Sequence, residues 1–332
     1  MKKHLLASAV LFPLAGLAAP AFADCSDVTI ASMNWQSAEV LAALDQFILN
    51  NGYGCSAEII SGDTVPTITS MVERGAPDIA PEGWVDLVPE VINQGLEEGR
   101  IVVTGTAISD GALQGWWVPA YLVEENPEIT TIQDVLAHPE LFPDPEDESR
   151  GAIYNGPQGW GGTVITTQLF KAYGAEEAGF RLVDTGSAAG LDGAIARAYE
   201  RGEGWVGYYW SPTALLGRYD MVKLGHGVPL DMEEWNRCTS QGDCPDPVPN
   251  DWPVDSVETV VTAEFAERVD QEVMDYLSNR SWDNATVNAL MSWMTDNQAT
   301  GEDGARYFLM NNEDIWTQWV TPEAADAIRS VL

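Results

Sequence analysis

Strand-like and helix-like segments alternate twice in this chain, over residues 28–80 and again over 151–212. That alternation restricts the available folds more than any other feature. Residues 28–32 read as a strand. Residues 38–49 place Val40, Leu41, Leu44, Phe47 and Ile48 at helical spacing, with Gly52 as a stop. Residues 57–60 read as a second strand. Thr64 is placed to cap a helix with Pro66 in its first turn, running to Arg74 and ended by Gly75. Residues 78–80 form a short third strand. In the second series, strands at 151–154, 180–183 and 205–210 alternate with helices at 163–173 and 188–201, stopped by Gly174 and Gly202. Ser211-Pro212 then reads as a cap and first helical residue. Each series calls for a largely parallel sheet covered by helices.

Two such series define two α/β lobes. Segments 111–123 and 257–261 look extended and serve as the expected crossovers, which places residues 24–115 and 259–332 in the first lobe and 116–258 in the second. After Thr262 the chain reads as mostly helical, with caps at Asp283 and at Thr321-Pro322. Two lobes joined by two crossovers put a cleft at the hinge. Ligands of open α/β sheets sit at the carboxyl ends of the strands and at domain interfaces.

The remaining composition sets limits on function. Lys2, Lys3 and His4 precede a short apolar run to Ala19, and Ala21-Phe22-Ala23 follows as a cleavage pattern. Residues 1–23 are therefore expected to be a secretory signal. Asp24 directly before Cys25 makes a poor lipidation box, so free secretion is expected. In an oxidising compartment the four cysteines should pair. Cys25 and Cys55 each precede a strand, and parallel neighbours would bring those starts together; Cys238 and Cys244 would then close a short loop. Lys+Arg 16 against Asp+Glu 51, a formal net charge of -35, argues against a nucleic-acid partner. The acidic stretch 144–148 lacks the spacing of a calcium loop and reads as solvated. His4, His138 and His226 are the only histidines, and neither a His-Cys metal cluster nor a G-x-S-x-G elbow is present. No metal, no cofactor and no enzymatic activity are expected.

Three tryptophans fall at strand ends: Trp84 after Pro81-Glu82-Gly83, Trp160 within 155–162, and Trp210 closing Tyr208-Tyr209-Trp210. Each alone would read as core packing. Three at equivalent positions, two beside glycines, point to binding. Aromatic faces attract quaternary cations by about 0.5–2 kcal/mol each, so three supply roughly 2–6 kcal/mol. A micromolar complex needs about 8 kcal/mol. Gly161 and Gly162 open a helix whose first amides are free donors at a positive dipole end, suited to a carboxylate. A cation cage with an anion site predicts a zwitterion such as a betaine.

These residues resemble the periplasmic glycine betaine/proline betaine-binding proteins of ABC importers, over nearly the whole mature chain. The likeness rests on Gly83-Trp84, on the run from Tyr154 through Trp160 to Gly162, on Tyr208-Tyr209-Trp210-Ser211-Pro212, and on the run from Pro139 to Phe142. It implies a type II-like two-lobe periplasmic binding protein fold and a monomer. It also implies an aromatic cage of Trp84, Trp160 and Trp210, a carboxylate held by the amides of Gly161 and Gly162, and an inner-membrane permease with its ATPase as partners. Some relatives carry a carboxylate-binding histidine where this chain has Val88, others near Leu215; neither is present. Asn34, Trp35 and Gln36 are the candidate replacements. A longer ligand with a sulfonium head, dimethylsulfoniopropionate, would also fit the change. Choline, carnitine or a polyamine is the alternative ligand class. Trp116 and Trp117 are read as hinge packing, and Glu82 and Asp86 as exposed loop carboxylates.

Overall fold

The computed structural model describes residues 25–332. The expected signal, residues 1–23, lies outside the described residues. Eleven strands form two sheets. The strands are β1 (Val28–Met33), β2 (Ala57–Gly62), β3 (Ile79–Trp84), β4 (Ile101–Thr106), β5 (Ala112–Pro119), β6 (Gly151–Asn155), β7 (Phe180–Asp184), β8 (Gly207–Ser211), β9 (Met221–Lys223), β10 (Val254–Asp255) and β11 (Val257–Thr262). The first sheet has the order β2-β1-β3-β11-β4 and the second β10-β5-β8-β6-β7, with β9 paired to β5. The pairs β1/β2, β1/β3, β6/β7 and β6/β8 are parallel, as strand–helix alternation requires. The antiparallel strands β5 and β11 are the two that the sequence presented as extended crossovers.

The chain therefore passes between sheets through residues 107–111 and returns at Ser256. Ala112–Gly115 pair with the second sheet, and Val257 and Glu258 with the first, a few residues away from the boundaries expected from sequence. The helix Gln36–Gly52 packs on the first sheet beneath the C-terminal helices Gly301–Asn311 and Pro322–Arg329. Its inward face buries Val40, Leu41, Leu44 and Ile48. The caps at Asp283 and Thr321 form, their side chains accepting from the amides of Thr286 and Ala324. Two others move by a residue or two. Asp63, not Thr64, precedes the second helix, and β8 absorbs Ser211, so that Thr213 caps the helix Ala214–Arg218.

Both disulfides join the expected partners, Cys25–Cys55 and Cys238–Cys244. The first follows from the parallel pairing of β1 and β2: Val28 lies opposite Ala57, and the amide of Ser56 donates to the carbonyl of Cys25 at 3.0 Å. One expectation fails within the acidic stretch 144–148. Asp144 is buried and paired with Arg181, at 2.7 Å from Nη2, and those hydrogen bonds hold its carboxyl below the ordinary range. The rest of the stretch is exposed. A buried ion pair, Arg280 with Asp45 at 2.7 Å, ties the helix Gln36–Gly52 to the segment after the helix Gln271–Asn279.

Candidate ligand-binding site between the lobes

The site is assembled from chain segments of both lobes that meet between the sheets. In the first lobe, all six residues of β3 are buried, and the strand runs on to Trp84. Residues two apart in a strand share a face, so Glu82 and Trp84 point the same way. The neighbouring strand β1 delivers Trp35 to the start of the helix Gln36–Gly52. Glu82 joins these two indoles. Its Oε1 accepts from Trp35 Nε1 at 2.6 Å, Ser37 Oγ at 2.9 Å and Trp84 Nε1 at 3.1 Å.

In the second lobe, Trp160 stands immediately before the helix Gly161–Ala172, and β8 presents Tyr208 and Trp210 on one face. The register of β5 against β8 sets Gln114 opposite Trp210 and Trp116 opposite Tyr208. Opposed residues of an antiparallel pair lie side by side. The Tyr208 hydroxyl donates to Gln114 Oε1, and the Gln114 side chain also lies against the Asp255 carboxyl.

The lobes touch through these groups. Trp160 meets Trp210 edge to face at 5.0 Å and Trp35 edge to face at 5.5 Å, from opposite sheets. Its Nε1 donates to Asn34 Oδ1. The amide of Val65 donates to the carbonyl of Gly159 at 3.0 Å. Gly159 adopts φ 98°, and a Cβ there would lie 3.0 Å from a carboxylate oxygen of Asp63, so glycine is needed both for the backbone and for the approach.

What remains between the rings is a narrow cavity of about 20 Å³ lined by Trp35, Thr64, Trp84, Leu87, Gln114, Trp160, Gly162, Tyr208 and Trp210. No Lys, Arg or His lines it. An outer cleft of about 750 Å³ adjoins it, sharing Trp35 and Trp210. The ion pair of Arg218 and Asp296, at 3.1 Å, links two helices that bound this cleft.

Of the residues singled out from sequence, Trp84, Trp160, Trp210 and Gly162 surround the cavity. Gly161 lies behind it, where a Cβ would come within 2.5 Å of Leu87 Cβ; a Cβ on Gly162 would collide with the Tyr208 ring. Asn34 holds Trp160, whereas Gln36 faces the outer cleft and bonds Thr295 Oγ1 at 3.3 Å. Trp116 is fully buried, and Trp117 donates to the carbonyl of Tyr209, both away from the cavity. Glu82 corrects the expectation of an exposed loop carboxylate: it is 1% exposed and lies within a central strand. Burial pushes its pKa up, opposed by the hydrogen bonds from Trp35, Ser37 and Trp84. Asp86 is a joint instead. Its Oδ2 accepts from the amide of Ser256 at 2.7 Å, and its carbonyl accepts from Trp235 Nε1 at 2.8 Å.

Two α/β lobes closing on an interlobe cavity define the two-lobe fold of solute-binding proteins. The chain belongs to the family described as the substrate binding domain of ABC-type glycine betaine transport systems, whose model matches residues 26–311. This is a family of transport proteins and not of enzymes. The chain is 22% identical over 298 residues to a trimethylamine N-oxide-binding protein of Pelagibacter ubique (strain HTCC1062), covering 87% of this chain and 89% of that one. Among solved structures it is similar to the glycine betaine/L-proline-binding protein ProX of Borrelia burgdorferi, with TM-score 0.71 and 20% identity over 91% of this chain and 99% of that one. An ABC-transporter choline-binding protein in complex with choline gives TM-score 0.71 and 19% identity, covering 93% and 98%. Lactococcal OpuAC, closed on glycine betaine, gives 0.67 and 17%, covering 89% and 99%.

Proposed function

We propose that this chain captures a compact methylated onium compound bearing a negative oxygen, outside the cytoplasmic membrane, and delivers it to an ABC permease driven by its ATPase. Glycine betaine, dimethylsulfoniopropionate and trimethylamine N-oxide are the candidates, the last also named for the Pelagibacter relative. The observation that carries this reading is the cavity itself. Four indoles, Trp35, Trp84, Trp160 and Trp210, wall a narrow interlobe space that no cationic side chain lines. A methylated cation is the ligand that aromatic walls attract most and that a lysine or arginine would repel. The unpaired amides opening the helix Gly161–Ala172 supply donors for a small anionic oxygen.

The two lobes, meeting at residues 107–111 and at Ser256, close on the ligand as a monomer. Because Trp35 and Trp84 come from one lobe and Trp160 and Trp210 from the other, the cage is complete only in the closed arrangement. Calorimetry with the three candidates, choline, carnitine and putrescine tests the reading. At least one candidate is expected to bind with Kd near 1 μM or tighter, equivalent to about 8 kcal/mol, and choline at least about tenfold more weakly than the best of them. Tightest binding of choline or putrescine would sink the zwitterion assignment.

A further inference from the structure

We propose that the buried Glu82 carboxylate is the counter-charge for the ligand's onium group, acting through the two indoles it holds. This rests on the onium reading above. Glu82 does not line the cavity; it lies behind Trp35 and Trp84 and receives both of their N–H groups. Buried charges are ordinarily paired with an opposite charge. Among the described residues Glu82 takes part in no ion pair, and its Oε2 has no hydrogen-bond partner. The buried cation in its neighbourhood, Arg280, favours the ionised Glu82 from a distance but makes its ion pair elsewhere. Arg280 pairs with Asp45 at 2.7 Å and donates to Thr259 Oγ1 at 2.7 Å. With Asp45 and Arg280 opposed, an ionised Glu82 gives this buried group one net negative charge behind the cage.

That charge is placed to serve a cation in two ways. It attracts the onium directly across a dry, low-dielectric wall, where charges interact more strongly than in water. It also polarises the indoles, because a hydrogen bond donated to a carboxylate moves electron density toward the ring that faces the ligand. Burial raises the pKa of Glu82, while the three donors converging on Oε1, the charge of Arg280 and an arriving onium group favour its ionised form. Glu82 is a positioning and specificity residue, since it touches the rings and not the ligand.

Charge and geometry separate in a short substitution series. Glu82→Gln keeps the chain length and an acceptor oxygen but removes the charge; Glu82→Asp keeps the charge and shortens the reach. Binding of glycine betaine and trimethylamine N-oxide is measured by calorimetry for the wild type and both variants, with thermal midpoints as the folding check. The expected result is at least about a tenfold loss for Glu82→Gln, with Glu82→Asp binding several-fold tighter than Glu82→Gln. Glu82→Gln within twofold of the wild type, or tighter than Glu82→Asp, would overturn the counter-charge role and leave Glu82 a structural acceptor. If Glu82→Gln does not fold, Glu82→Asp against Glu82→Ala carries the same contrast, and equal binding overturns it. Failure of the wild type to bind any onium probe overturns the functional reading itself.

Discussion

Replacing Trp160 by alanine is expected to weaken binding of the onium ligand by about 3 kcal/mol, more than a hundredfold. Trp160 is the ring at which the site converges. It meets Trp210 edge to face in its own lobe and Trp35 edge to face from the other, and its Nε1 donates to Asn34. Removing it deletes one cation-binding face, worth up to about 2 kcal/mol when desolvated. It also deletes a contact that exists only when the lobes are closed, so part of the energy of closure goes with it. Trp160→Phe keeps a face but loses the bond to Asn34, and should sit between the two. Calorimetry gives the affinities, and small-angle scattering with and without ligand reports closure. An affinity for Trp160→Ala within threefold of the wild type would remove this residue from the cage.

The same residues show how far sequence alone reaches. Trp84, Trp160 and Trp210 were legible because glycine, proline and strand periodicity mark strand ends, and those ends converge on a cleft in a two-lobe α/β fold. The disulfide of Cys25 and Cys55 was legible for the same reason, since it needs only two parallel neighbours. Glu82 was not. The sequence pattern ends the third strand at Ala80, before Pro81. In the folded chain β11, distant in sequence, pairs along this stretch with a register shift between Glu258 and Val260 that accommodates Pro81. Pro81 contributes only its carbonyl, which accepts from Thr259 Oγ1 at 3.2 Å. With the strand extended to Trp84, alternation alone would have placed Glu82 beside the cage tryptophan. Gln114 and Tyr208 were missed because their proximity depends on the register of β5 against β8, two segments far apart in sequence with no local signal of which residues oppose. Gly161 has a packing role that the sequence did not show for a similar reason: its lack of a side chain lets Leu87 of the other lobe pack against it, a contact local pattern cannot show.

A second large effect is expected from Asp255→Asn: stabilisation at neutral and alkaline pH that disappears in acid. Asp255 lies in β10, one residue before the chain returns to the first sheet, and is 1% exposed. Neither carboxylate oxygen has a well-formed hydrogen bond, although Gln114 and Trp252 are close enough to ease its ionisation slightly. Burial pushes its pKa from 3.8 up to about 8, and the charge of Asp86 adds to the rise. The folded protein therefore keeps a proton on Asp255 between pH 4 and pH 8, where the unfolded chain has released it. Folded molecules then bind more protons than unfolded ones, and stability falls as pH rises through that window. Below pH 4 both states are protonated and the penalty is absent; above pH 8 both are ionised and it is complete. A shift of about four units corresponds to roughly 5 kcal/mol at full extent, so asparagine, neutral throughout, should gain on the order of 3–5 kcal/mol at pH 8 and almost nothing at pH 4. His226 acts in the opposite sense. Burial lowers its pKa from 6.5 to about 4, so its contribution is lost as pH falls from 6.5 toward 4. The wild-type profile combines both, whereas the difference between wild type and Asp255→Asn isolates the carboxyl. Urea unfolding of the two proteins at intervals from pH 4 to pH 9 measures that difference. A gap that is constant across the range would show that Asp255 is ionised in the folded protein and that the second crossover carries a buried charge instead of a buried proton.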